Sequence, residues 1–147
     1  MIKKDSSKVT GSVNVVVRGE NGAVKQEFTV PNLVVDSGLD FIASRMAGVT
    51  DSVMSHMAVG TGSTAAAAAD TTLETEAARV ALTSTTVTSN AVAYVTTYPA
   101  GTGTGALTEA GIFNDATTGD MLCRTVFSVI NKGAADSMTV TWTVTIS

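Results

Sequence analysis

The chain holds a single histidine, His56, set between Met54 and Met57, and the acids nearest to it in sequence are Asp51 and Asp70. One imidazole with scattered carboxylates lacks the ligand number of a metal site and the third partner of a Ser–His–acid triad, so His56 reads as a structural or surface residue. Glu74, Glu76 and Glu109 do not form an acid/base pair by spacing. Glu109 lies within the apolar run Leu107 to Phe113, where Arg79 or Arg124 could neutralise it. The expectation is a salt bridge at the edge of the core that fixes strand register. Gly60-Thr61-Gly62 and Gly101-Thr102-Gly103-Thr104-Gly105 are glycine-rich, but neither fits a P-loop or the strand–glycine loop–helix setting of a dinucleotide site, and both read as flexible loops. Cys123, the only cysteine, makes no internal disulfide and reads as a buried thiol. No acid–base or nucleophile set emerges, so an enzyme is not expected, and no catalytic residue, cofactor or metal ligand is assigned.

The elements that must position these residues centre on the last third of the chain. From Ser137 to Ser147 apolar and polar residues alternate without a break, with Met138, Val140, Trp142, Val144 and Ile146 on one face and a row of Thr on the other. Period-two alternation marks a half-buried strand, and a one-residue slip would bury the Thr row and expose Trp142. With 107–113 and 121–130 this run predicts three consecutive antiparallel strands forming the central sheet. Residues 121–130 are apolar on both faces (Cys123, Phe127 and Val129; Leu122, Val126 and Ile130), which predicts a strand covered on both sides, under a helix or at a subunit contact.

Upstream, residues 9–18 and 24–30 alternate around a Gly19–Gly22 turn and predict a hairpin that Pro31 ends, with a short continuation at 32–35. Ser37 and Asp40 form a capping-box-like start, and Leu39, Ile42, Ala43 and Met46 recur at helical spacing up to Gly48. This predicts one short helix lying on a sheet or plugging one end of a sandwich. Residues 54–59 predict a strand and 60–70 a loop; Thr71 and Glu74 repeat the capping pattern ahead of a turn or two of helix through Ala78. Residues 79–88 and 91–98 predict two further strands. Short strands at this spacing, with one helix, give an all-β class, a β-sandwich or jelly-roll-like fold, with residues 1–8 as an N-terminal arm and 9–147 as a single β-sandwich domain.

Bulk composition narrows the function classes. The 147 residues fit one domain, and a charged fraction of 15% beside 44% hydrophobic residues is too apolar for a disordered chain. A net charge of −4 disfavours nucleic acid as a partner. No apolar N-terminal run or membrane-length stretch is present, so neither secretion nor a membrane partner is expected. A carbohydrate-binding module would need exposed aromatics; these are 5% of the chain, and Tyr94 and Tyr98, on one strand face, are the candidates.

Three segments carry a resemblance. They are Asn32-Leu33-Val34-Val35 followed by Ser37-Gly38-Leu39-Asp40; Met57 to Gly62 with Leu73, Glu76 and Arg79 downstream; and Leu107 to Asn114 leading to Met121, Leu122, Arg124 and Phe127. Together, across residues 9–147, they resemble small structural proteins of tailed-bacteriophage virions, in the tail-fibre, collar and head-accessory group. The resemblance implies a β-rich module repeated by symmetry, attached to other virion proteins, with no catalysis and no small-molecule substrate. The chain carries no long shaft or tip, which favours a short fibre adaptor or collar element at the tail or neck over a complete receptor-binding fibre. A capsid decoration protein is the alternative. The expected partners are other copies of the chain, in a homo-oligomer with a trimer as one candidate, and other virion proteins. The expected location is the virion, after assembly in a bacterial host cytoplasm. Contacts are assigned by position to Lys3, Lys4 and Lys8 in the arm, Thr61 and Ser63 in one loop, and Thr102 and Thr104 in another, since loops on rigid sandwiches carry interaction surfaces.

Overall fold

A computed structural model describes residues 7–49 and 51–147. Its order is β1 (Val9–Arg18), β2 (Val24–Pro31), β3 (Leu33–Val34), α1 (Asp36–Met46), β4 (His56–Gly60), β5 (Glu76–Ala81), β6 (Ser84–Thr88), β7 (Ala91–Tyr98), β8 (Gly105–Phe113), β9 (Met121–Lys132) and β10 (Ser137–Ile146). The strands form two five-stranded antiparallel sheets, β2-β1-β10-β7-β6 and β3-β9-β8-β4-β5, so the fold is a β-sandwich with one short helix. The two inner faces enclose one core that includes Val13, Val15, Val17, Met57, Ile112, Tyr98, Val140 and Trp142.

The alternation of the final strand is realised: Met138, Val140, Trp142 and Val144 are buried while the intervening Thr residues are partly exposed. Ile146, last of that row, is half-exposed. The three closing strands do not share a sheet, however. β8 pairs with β9 in the second sheet, and β10 crosses to the first, where it lies between β1 and β7. Alternation reports which face of a strand is buried and is silent on its neighbours, so it cannot distinguish a hairpin from a crossing. The same limit applies to 79–88, which divides at Leu82-Thr83 into β5 in one sheet and β6 in the other.

β9 is covered on both sides along its first half, by the sandwich core and by α1. Val129 departs from expectation and is exposed, because the β8–β9 register shifts between Leu107 and Glu109 and changes the facing of the residues beyond. The helix starts one residue before Ser37, from Val35, with no side-chain cap. Ser37 Oγ instead donates to Met121 O at 2.8 Å and Val35 N to Leu122 O at 3.3 Å, which fastens the first turn to β9. The helix ends as expected at Gly48 (φ 71°): Gly48 N donates to Arg45 O and Val49 N to Ser44 O, a Schellman closure. Its buried face is Gly38 and Phe41, whereas Leu39, Ala43 and Met46 of the expected stripe face outward. Gly38 lies so close to Leu122 O that a Cβ would collide with it, and this backbone approach sets the rotation of the helix. No helix forms after Thr71; residues 61–75 run without regular structure over the outer face of the second sheet, and β5 begins at Glu76.

Candidate functional site

The outer face of the second sheet brings together residues from all three segments of the resemblance. Ladder pairs place Gly60 beside Glu109, Gly111 beside Arg124, and Ala58 beside both Gly111 and Arg79. Glu109 on β8 is 0% exposed and Arg124 on β9 2%. Arg124 Nη2 lies 3.3 Å from Glu109 Oε2, and Nη1 lies 2.9 Å from Asp70 Oδ2. Nη2 also donates to Thr64 O at 3.0 Å and lies 3.9 Å from Glu74 Oε2. Thr75 N donates to Glu109 Oε1 at 3.3 Å, and Thr64 N to Glu74 Oε2 at 2.8 Å. Accepting from Thr64, with Arg124 nearby, holds the Glu74 carboxyl below its ordinary range. Apart from the Arg124–Glu109 pair, which joins β9 to β8, each of these contacts ties the 61–75 segment to the sheet or to itself, so the cluster is a clamp on that segment.

Of the two glycine-rich stretches, Gly60 and Gly62 serve the clamp, whereas Gly101, Gly103 and Gly105 take positive φ in the loop leading into β8. A Cβ on Gly62 would collide with Glu109 Oε2, and one on Gly60 with Thr75 O. Thr108 Oγ1 donates to Gly62 O at 2.7 Å. Beneath the segment, Val35, Ala58, Leu73, Phe113 and Met121 form a second, small apolar cluster. Beside it, Arg79 sits over the Phe113 ring at 3.8 Å and grips Glu76 with two bonds. Arg79 also donates to Asp115 O and Thr118 O, tying β5 to the 114–120 turn. Thr117 and Thr118 amides donate to Asp115 Oδ1, and these bonds draw its carboxyl down to about 2.

The expected salt bridge of Glu109 thus forms with Arg124, and Arg79 is committed elsewhere. Asp70 and Glu74 join the cluster without having been linked to it by sequence; the one signal was a charged Arg124 inside an apolar strand. His56 takes no part: its Nδ1 meets Ser55 Oγ at 2.8 Å, and the main-chain oxygen of Asp51 accepts from Arg45. Among the described residues no group of His, Cys, Asp and Glu could hold a metal ion. Cys123 is buried, and burial pushes its thiol well up. The Tyr94 and Tyr98 rings are both buried on the core face, which removes the exposed aromatics a carbohydrate platform needs; Tyr98 donates to Met57 O at 2.7 Å.

The residues assigned to contacts divide between the two ends of the sandwich. Lys3 and Lys4 lie outside the described residues. Lys8 is exposed and exchanges backbone bonds with Ser147. Thr61, Ser63 and Thr104 are exposed and Thr102 is half-buried, all toward the opposite end, where β4 finishes and β8 begins. At that end a third cluster, missed in the sequence, joins the loops: buried Lys132 donates to Pro99 O and Asp136 O, and Asp136 accepts from Lys25 at 2.8 Å. Two open hollows of about 420 and 340 Å³ flank the clamp, and Arg124 lines both. No protein-family model, curated protein or solved structure matches the chain.

Proposed function

We propose that the chain is a non-enzymatic structural subunit of a tailed-bacteriophage virion. In this reading it is an oligomeric β-rich module on the particle exterior, associated with the tail or neck as a fibre adaptor or collar element. The observation that carries the reading is the use made of the resemblance segments: Gly60, Gly62, Glu109 and Arg124 build the clamp, and Glu76 and Arg79 the grip beside it, which harden a sheet face. A carboxylate that is fully buried, paired and capped by Thr75 N has no free face for a substrate. A capsid decoration protein is the second reading, since a rigid sandwich with loops at both ends serves a head shell equally well.

Self-association is the part of this proposal open to test on the purified chain. Light scattering on the full chain is expected to give a closed oligomer, and removal of residues 1–6 to weaken it; Lys8 is kept because it pairs with Ser147. A monomer of 14.9 kDa, indifferent to the truncation, would contradict the proposal.

A further inference from the structure

Each sheet has two edge strands, and three of the four carry a recognisable guard against pairing with other chains. β2 exposes Lys25 and Glu27 and ends on Pro31. β3 is two residues long. β5 carries Glu76 and Arg79 and lies against a register shift at Val59/Gly60. β6, Ser-Thr-Thr-Val-Thr, has no charge and no proline, and all five of its residues are exposed. It closes a two-residue turn through Ser89 (φ 53°) and Asn90, with Thr88 opposite Ala91. In an antiparallel ladder counted from that closing pair, Thr88, Thr86 and Ser84 bond to β7, and the amides and carbonyls of Thr85 and Val87 point outward.

The face beside this edge is also open. Val87 is 69% exposed and Val53 59%. With Phe41, Arg45, Met54 and Tyr94 they line a hollow of about 280 Å³ between α1 and the β6–β7 hairpin. Of α1, Phe41 and Arg45 are the residues that line this hollow.

We propose that β6 is the pairing edge for a second copy of this chain, joined antiparallel about a two-fold axis through Thr86. The proposal rests on the reading of the chain as a self-associating subunit. An uncharged strand meets itself without opposing like charges. Centring on Thr86 lets Thr85 of one copy exchange its outward bonds with Val87 of the other, and the two-fold repeats this exchange. An axis perpendicular to the sheet keeps both helices on one side and reverses their direction.

The register makes a covalent test possible. Thr86 faces its own copy as a non-hydrogen-bonded pair, whose Cα separation of about 4.5 Å lies within the range for a disulfide. In full-length Thr86→Cys the added thiol is the accessible one, since Cys123 is buried. Mild oxidation is expected to convert it to a covalent dimer. Val87→Pro in the same chain, which removes an outward amide, lowers the yield roughly tenfold or more. Ser128→Cys, on an exposed position of β9, is the collision control and stays uncrosslinked. A Thr86→Cys chain that does not crosslink, yet scatters light as an oligomer, overturns the edge pairing and leaves self-association standing. One that does not crosslink and runs as a monomer overturns both. Equal crosslinking at Ser128→Cys also overturns the pairing.

Discussion

At the residue scale the structure turns on one buried guanidinium. Arg124 neutralises Glu109 and holds Asp70, so its removal leaves a carboxylate in the sheet with no compensating charge. Breaking a buried pair from one side costs about 3–5 kcal/mol, whereas replacing both members can be near neutral. Arg124→Met is therefore expected to lower the unfolding free energy by about that amount, and adding Glu109→Gln to restore part of it, as measured by urea denaturation. Asp115 sets a pH dependence. The Thr118 and Thr117 amides hold its carboxyl at about 2 in the fold against an ordinary 3.8. The unfolded chain thus binds more protons between these values, and stability is lost as pH falls from about 4 toward 2. Asp136, depressed chiefly by its bond from Lys25, acts in the same direction. Urea midpoints across that range should fall less steeply in Asp115→Asn than in the native chain. Glu109 was legible in the sequence as an acid stranded in an apolar strand. Asp70 and Glu74 were not, because they reach Arg124 along an irregular segment whose path leaves no periodicity.

At the element scale, strands were legible and their neighbours were not. The alternation of 9–18 and 137–147 gives the buried faces correctly, yet nothing in 79–88 marks the crossing at Leu82-Thr83. The helix shows a different limit. Its apolar residues mark one stripe, but a glycine determines which face docks, because Gly38 lets the helix backbone meet Leu122 O. Gly38→Ala is expected to destabilise the protein by about 1–3 kcal/mol through overpacking, with amide exchange in α1 accelerating more than in β10. Gly62→Ala, which would drive a methyl into the Glu109 carboxylate, is expected to loosen residues 61–75 in the same measurement.

At the scale of the whole molecule, the sandwich joins a hardened outer face to an edge, β6, that is the one left unguarded among the described residues. The clamp, the Arg79 grip and the Lys132 cluster each tie a long connection back to a strand, so the sandwich offers partners a rigid surface. An isolated subunit would gain nothing from leaving β6 bare, since open edges invite unwanted pairing; a subunit of a symmetric assembly buries that edge against its neighbour. That contrast is what links the fold to the proposed place on a virion. The most direct test is electron microscopy of intact particles from the producing host, labelled with an antibody to this chain. The account predicts label on the particle exterior, at the tail or neck; label over the head shell would select the decoration reading instead. Unlabelled particles, with the protein found only free in the lysate, would contradict the account.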